Sequence, residues 1–287
     1  MKGQIIKVIS NDYTIKLDNN EKIICKPRGV FRNQNITPLA GDYCLVDLEK
    51  KVIDEILPRK NELNRPPVSN IDIAVVVMST INPDFSMNLI DKMVTIIEYN
   101  NIEPVIVITK KDLYYSDEID SKINYFKNIG YKVFLNTEVD KLLDYISNKT
   151  VILTGQSGAG KSSLLNRIDN NLDLKTDEIS MALGRGKHTT RAITFYEINT
   201  SLIADTPGFS SLSFEDMTKE DIRDNFIEFN KYRDDCKYRD CMHIKEDECN
   251  IKKNVNSFID KDRYEDYVSF IKEKENENIS FNTKGKR

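Results

Sequence analysis

The segment Gly155-Gln156-Ser157-Gly158-Ala159-Gly160-Lys161-Ser162 sets three glycines and a lysine between an apolar run, Val151–Thr154, and a helix-compatible stretch. The spacing G-x-x-x-x-G-K-[ST] calls for a strand, a tight turn and a helix in immediate succession. Glycines there let consecutive backbone N–H groups turn inward, and the helix N-terminus behind them adds its positive dipole end. Gly155 to Gly160 thus form a cradle for phosphate. Lys161 would reach the β- and γ-phosphates, Ser162 would ligate Mg²⁺, and Ser163 extends the motif into the helix. Gly-rich strand-to-helix turns also occur without a ligand, so the surrounding chain has to supply the context.

That context is α/β. Ile71–Ser79, Pro104–Thr109, Val133–Leu135 and Val151–Thr154 are unbroken apolar runs, the pattern of strands buried on both faces of a parallel sheet. Between the first two, Met87, Ile90, Val94 and Ile97 recur at three- and four-residue steps behind Ser86, which predicts a capped amphipathic helix over 86–99. Beyond the loop, a strand pair is expected over Ile193–Ile198 and Leu202–Asp205, ending in Asp205-Thr206-Pro207-Gly208. Asp205 there can hold Mg²⁺ through water and the Gly208 N–H can sense the γ-phosphate. The polar stretch Leu183-Gly184-Arg185-Gly186-Lys187-His188-Thr189-Thr190-Arg191 suits a switch that orders when a threonine hydroxyl meets Mg²⁺. Thr189 and Thr190 both qualify, and Thr190 is favoured.

Thr109-Lys110-Lys111-Asp112 follows its apolar strand in the manner of the N/T-K-x-D guanine reader. A carboxylate at 112 accepts two hydrogen bonds from guanine N–H groups and is left unmatched by adenine. Lys110 lays its aliphatic stem along the base. Thr109 stands where asparagine is commoner, and its hydroxyl replaces one amide contact but not two. The next loop, Leu135-Asn136-Thr137, falls where a supporting backbone amide is expected. In the usual chain order a base reader follows the phosphate loop, whereas here it precedes it. Joining the old termini and cutting elsewhere keeps every strand neighbour, because domain termini often lie close together. The order therefore describes a circularly permuted P-loop GTPase domain over 66–214, handling GTP and GDP.

Two further regions flank it. Gln4–Ile9, Tyr13–Leu17, Lys22–Lys26, Asp42–Leu48 and Val52–Leu57 read as five short strands over 1–65, which suit a small closed barrel of the oligonucleotide-binding type. In Lys26-Pro27-Arg28-Gly29-Val30-Phe31-Arg32 the basic groups suit phosphates, and Phe31 is either a stacking platform or a buried core residue. Asn64-Arg65-Pro66-Pro67 reads as a linker. Region 215–287 is expected to be helical over Lys219–Tyr232 and Asn256–Lys274, with a disordered tail from Lys284. Between those helices lies Cys236-x₄-Cys241-x-His243-x₅-Cys249, a Cys₃His set that fills a structural Zn²⁺ site. Lys231, Arg233, Lys237, Arg239 and Lys245, interleaved with Tyr232 and Tyr238, surround it and favour RNA contact. Cys25 and Cys44 stand apart and read as barrel core.

Composition bounds the alternatives. With 42 basic and 46 acidic side chains the formal charge is −4, so RNA affinity has to come from local patches. No apolar run approaches the roughly 18 to 20 residues needed to span a bilayer. Without an export signal at Met1-Lys2-Gly3-Gln4, a cytoplasmic location and no membrane partner are expected.

Taken together, Asn64-Arg65-Pro66-Pro67-Val68, the T-K-K-D and phosphate-loop motifs, the G-x-G-K-H-T-T switch, D-T-P-G-F and the four metal ligands resemble the bacterial small-ribosomal-subunit-dependent GTPase family. This resemblance implies a multi-domain α/β protein: N-terminal barrel, permuted GTPase domain and helical zinc-binding region. It also implies late maturation of the small subunit, with the flanking regions contacting rRNA; a monomer is expected. Phe209 stands where many GTPases place a water-orienting glutamine, so intrinsic hydrolysis is expected to be slow. His188 is a candidate to position the water, or is simply an exposed switch residue. Two rival readings are a non-catalytic RNA clamp stabilised by nucleotide and an ATP-using P-loop enzyme.

Overall fold

The computed structural model describes residues 1–64, 66–169, 193–205 and 213–284. Its first five strands, β1 (Lys2–Ile9), β2 (Asp12–Leu17), β3 (Lys22–Pro27), β4 (Tyr43–Asp47) and β5 (Val52–Ile56), run in the order β1-β2-β3-β5-β4 and close through β1–β4. Alternation decides what faces inward: Tyr13, Ile15 and Leu17 of β2 are buried, while Thr14 and Lys16 between them are not. The short helix α1 (Val30–Asn33) plugs the barrel with Phe31, which is 4% exposed and packs with Ile5, Cys25, Cys44 and Ile53. Phe31 is therefore a core residue and offers no face for base stacking. Burial pushes the Cys44 thiol up to about 12, which suits an inert packing role.

The Asn64–Pro67 segment, expected as a linker, is instead the turn of a hairpin. β6 (Glu62–Asn64) pairs with β7 (Pro67–Ser69), with Asn64 opposite Pro67. The hairpin is tied to the barrel through Asp42, which is fully buried. Arg59 Nε and Nη2 donate to its two oxygens at 2.7 and 2.8 Å, and Ser69 Oγ donates at 2.6 Å. A buried carboxylate with that many donors holds its neighbours in one arrangement.

The following strands, β8 (Ile73–Ser79), β9 (Glu103–Thr109), β10 (Lys132–Leu135), β11 (Thr150–Thr154), β12 (Ile193–Ile198) and β13 (Ser201–Asp205), form a sheet ordered β10-β9-β8-β11-β13-β12. All neighbours are parallel except β12, which runs antiparallel to β13. Helix α2 (Met87–Tyr99) is capped by Ser86, whose Oγ accepts Leu89 N at 3.2 Å, and covers one face with Ile90, Val94 and Ile97. Helix α3 (Asp117–Ile129) adds Ile123 and Phe126 to the same layer. On the other face, α4 (Val139–Tyr145) and α5 (Lys161–Ile168) bury Leu142, Leu164 and Leu165 against Val75, Val77 and Val151. The chain winds outward from β8 to β10 and then returns to the far side of β8 at β11. Open α/β sheets bind their ligands outside the carboxyl ends of the strands at such a reversal.

The barrel and this sheet are one continuous ladder. The end of β1 pairs with β12, Lys7 opposite Thr194 and Val8 opposite Ile193. Beside that seam Glu197 of β12 takes both Lys16 at 2.9 Å and Lys22 at 2.8 Å.

The helical part differs from expectation in two places. The helix expected over Lys219–Tyr232 is α6 (Lys219–Asp224), closed by a Thr218–Asp221 capping box, followed by 3₁₀ turns at Ile227–Lys231 and Arg233–Asp235. The break lets Phe226 and Phe229 turn into a core with Phe214, Tyr267 and Phe270. After the short helix α7 (Asn250–Asn254), the long one starts at Lys261 rather than Asn256, because Val255 and Ile259 form a bridge. It runs as α8 (Lys261–Lys284). Arg263 of α8 is fully buried, meets Asp91 of α2, and donates to Glu228 at 2.6 and 3.0 Å. The rings of Phe226, Phe126 and Tyr131 enclose it. None of the described helices is long and apolar enough to cross a membrane.

Candidate functional site

From Thr154 the chain turns through Gly155, at φ +139°. A Cβ there would lie 2.1 Å from the Val77 carbonyl oxygen, so the approach of loop to central strand requires glycine. Gly158 and Gly160 also sit at positive φ, and Gly160 caps α5. Lys161, the first residue of α5, bends back so that Nζ donates to the carbonyl oxygens of Gly155 at 2.9 Å and Gln156 at 2.8 Å. The ammonium is therefore held over the loop by the loop's own backbone. Gln156 and Ser162 are half-buried, Ser157 and Ser163 are exposed, and Ala159 is buried beneath them.

The second arm arrives from β9. Thr109 is buried, and its Oγ1 donates to the Ala159 carbonyl of the phosphate loop at 2.6 Å. Lys110, at φ +58°, donates Nζ to the Gly158 carbonyl at 2.8 Å and to the Asn82 carbonyl. Thr80 fixes this strand end from the other side, its Oγ1 donating to Lys110 O at 2.8 Å and its N–H to Thr109 O at 3.1 Å. Lys111 pairs with Asp120 at 2.6 Å, and Asp112 is exposed in the turn that follows. The loop after β10 completes the rim: Asn136 N–H donates to Ile108 O at 2.9 Å, and Arg167 of α5 donates to Asn136 O at 3.2 Å. Residues separated by 28 to 50 positions in sequence thus form one hydrogen-bonded crevice. The single hydroxyl of Thr109 makes the link to the phosphate loop that the motif's departure from asparagine leaves open.

Asp205 ends β13 one strand away from the phosphate loop, in the register that sets it opposite Leu153. His188, Thr189, Thr190, Gly208 and Phe209 lie outside the described residues.

Cys236, Cys241, His243 and Cys249 come together with their ligand atoms all within 4.8 Å of one another. His243 Nδ1 lies 3.4 Å from Cys249 Sγ and 3.7 Å from Cys236 Sγ, and those two sulfurs are 4.0 Å apart. A tetrahedral zinc with bonds of about 2.0 to 2.3 Å has donor–donor edges of about 3.4 to 3.8 Å, so this cage fits the ion. Burial, reinforced by Arg223, lowers His243 to about 4, leaving a neutral imidazole, the form that binds metal. Burial raises Cys241 to about 12, and a bound cation would displace its proton to solvent. Backbone N–H groups of Asn250 and Lys252 reach the sulfurs of Cys236 and Cys249 at 3.3 and 3.5 Å, and Tyr264 OH holds the His243 carbonyl at 2.7 Å. The Glu246 carboxylate accepts the N–H groups of Met242, Ile244 and Lys245, closing the loop around the histidine. A cavity of about 420 Å³ opens beside the cage, lined by Arg223, Arg233, Arg239 and Tyr238 together with Asp224, which pairs with the first two, and Asp234.

Comparison with known proteins decides among crevices of this kind. The profile of the RsgA GTPase matches residues 56–215, and that of the RsgA N-terminal domain matches residues 2–52. The chain belongs to the RsgA GTPase family. It is accordingly a GTP-hydrolysing enzyme with an N-terminal barrel. Small ribosomal subunit biogenesis GTPase RsgA 2 of Oceanobacillus iheyensis is 44% identical, over 95% of this chain and 97% of that protein. Small ribosomal subunit biogenesis GTPase RsgA of Bacillus subtilis is 41% identical, with the same coverage of each. Among solved structures, YloQ, described as a circularly permuted GTPase, superposes with a TM-score of 0.80 at 35% identity, over 96% of this chain and 95% of its own. YjeQ from Thermotoga maritima gives 0.81 at 32% identity, over 95% and 98%.

Sequence reasoning missed the partners that lock the crevice. Thr80 and Asn82 carry no motif and are recognisable only once β8 and β9 are adjacent. Glu246 and Tyr264 at the metal cage are equally silent, since an acidic residue and a tyrosine in a polar helical region have many ordinary uses.

Proposed function

We propose that this chain hydrolyses GTP in the crevice between β8, β9 and β11 as a step in maturation of the small ribosomal subunit. The observation that carries the reading is the pair of bonds from Thr109 and Lys110 to the carbonyls of Ala159 and Gly158. They support base recognition and phosphate binding as two ends of one pocket, despite their reversed order in the chain. In this reading Asp112 accepts the guanine N–H groups, Lys110 flanks the base, and Thr109 and Lys111 hold the reader in place. Gly155 to Gly160 present backbone N–H groups to the phosphates, followed by Ser163 at the start of the helix. When nucleotide enters, Lys161 exchanges the carbonyls of Gly155 and Gln156 for phosphate oxygens, a swap that keeps its charge satisfied throughout. Ser162, Thr190 and Asp205 would hold Mg²⁺, which neutralises charge on the phosphates, and Gly208 would sense the γ-phosphate. His188 positions the attacking water.

Cys236, Cys241, His243 and Cys249 would hold one structural zinc. With four protein ligands the site is closed to substrate, so its role is to fix the loop that presents Arg233, Arg239 and Tyr238. The names of the relatives support the ribosomal partner. The basic groups near the cage and at Lys26 and Arg28 of the barrel support rRNA contact, in a cytoplasmic monomer. GTP turnover measured with and without purified small subunits tests the proposal. Stimulation of at least tenfold is expected, retained by neither Lys161→Ala nor His188→Ala. No stimulation refutes the ribosomal role, and stimulation unaffected by His188→Ala removes that residue from the mechanism.

A further inference from the structure

A second cavity, of about 490 Å³, lies behind the base reader, away from the crevice that takes phosphate. The loop after β8 supplies Thr80, Ile81, Asp84 and Phe85; the segment after β9 supplies Tyr114 and Ser116; α3 supplies Glu118, Ile119 and Lys122. The first turn of α8 closes it with Asp262. Ile81, Phe85, Met87 and Ile119 give it an apolar floor. Next to it Leu113, Tyr114 and Tyr115 are 68%, 45% and 64% exposed, an apolar and aromatic group that no described residue covers.

Charge selects the occupant. Of the four charged residues in the lining, three are carboxylates. The fourth, Lys122, is already engaged by both oxygens of Asp260 at 2.8 Å and by Asp262 at 2.6 Å. Asp84 and Glu118 are exposed and make no ion pair among the described residues. A phosphodiester backbone brought here would meet like charge and nothing to neutralise it. A lysine or arginine fits: its stem lies on Ile81 and Ile119, its head meets Asp84 and Glu118, and the faces of Phe85 and Tyr114 add cation–π attraction.

We propose that this cavity docks a lysine- or arginine-bearing segment of a protein of the small ribosomal subunit, rather than rRNA. The proposal rests on the ribosomal reading above and assigns one face of the enzyme to a different class of partner. The seat is adjacent to nucleotide chemistry. The same loop that lines it offers Asn82 O to Lys110, and Thr80 bonds the Lys110 carbonyl, so a docked segment presses on the residues that flank the base.

The test uses the full chain carrying p-benzoylphenylalanine in place of Tyr114, cosedimented with purified small subunits and irradiated. The expected product is a crosslink to a ribosomal protein that survives ribonuclease. It should fall at least fivefold in the Asp84→Lys/Glu118→Gln double variant, whose glutamine keeps a cation away from the N-terminus of α3. A crosslink to rRNA, a protein crosslink indifferent to the double variant, or no crosslink despite cosedimentation overturns the proposal and leaves the ribosomal reading standing. Loss of cosedimentation for the unmodified chain overturns both.

Discussion

Replacing Thr109 by valine keeps the shape of the side chain and removes one hydrogen-bond donor. The residue is 3% exposed, and its Oγ1 lies 2.6 Å from the Ala159 carbonyl. In valine a methyl takes the place of that oxygen, closer to Ala159 O than carbon and carbonyl oxygen can approach, so the carbonyl has to shift as well as lose its donor. The variant leaves a buried carbonyl short of its donor, which costs about 1 to 3 kcal/mol. The bond lies wholly within the protein, so part of that cost appears as lower stability of the fold. The remainder appears in binding, because Ala159 O can regain a partner only by turning toward water and taking the phosphate loop with it. Assigning about half of a 2 to 3 kcal/mol loss to binding gives roughly a fivefold to tenfold weaker GDP affinity, at about 1.4 kcal/mol per decade. Titration with a fluorescent GDP analogue measures this term, and denaturant unfolding without nucleotide measures the other. Thr109→Ser should restore most of both. If valine leaves GDP affinity within twofold and stability unchanged, the bond between base reader and phosphate loop does nothing, and the reasoning fails.

Three other outcomes follow from the geometry. Gly155→Ala places a methyl 2.1 Å from Val77 O at φ +139°, so the strands must part; GDP binding should fall by at least two decades, and near-normal affinity would refute the close packing. Arg263→Met leaves Asp91 and Glu228 buried without their cation and should lower unfolding free energy by about 3 to 5 kcal/mol in denaturant titration. A loss under 1 kcal/mol would mean that the joint between α2 and α8, which Lys92–Glu273 and Asn88–Asp266 also bridge, does not depend on this cation. The Glu197 carboxyl is held below its ordinary value by Lys22, then Lys16, against some desolvation by burial. A depressed pKa stabilises the fold above the unfolded value and loses that contribution as pH falls through the folded one. The stability difference between wild type and Glu197→Gln, at most about 1 kcal/mol for partly exposed pairs, should therefore be present at pH 6 and be lost on acidification below the ordinary glutamate range, at low salt.

How much of this was legible depended on whether the signal was local. The barrel strands were readable because Tyr13, Ile15 and Leu17 alternate, and the parallel strands because Ile73–Met78 and Val105–Ile108 are apolar throughout. The turn from β11 into α5 and the convergence of Cys236, Cys241, His243 and Cys249 were readable because residue type and spacing carry the signal. The β1–β12 seam was not: Lys7 and Val8 look like any strand end, and which edges meet is settled by the packing of whole layers. The hairpin at Asn64 was hidden because Pro66 and Pro67 punctuate linkers and tight turns alike. Periodicity carried the expected helix past Asn225, although Phe226 and Phe229 gain more by turning into the aromatic core than by extending a helix face. Arg263 gave no warning, since an arginine among charged neighbours normally lies in water.

In the proposed function Asp112 reads guanine while Lys161 holds the phosphates of the same molecule. Asp112→Asn tests it most directly, because an amide that donates where the carboxylate accepted suits xanthine, whose C2 carbonyl replaces the guanine amine. Equilibrium binding of GDP and xanthosine diphosphate to wild type and variant is the measurement. GDP affinity should drop by about two decades while that for xanthosine diphosphate rises by at least one. A variant that still prefers GDP would show that the base is recognised elsewhere, and the shared pocket would not stand.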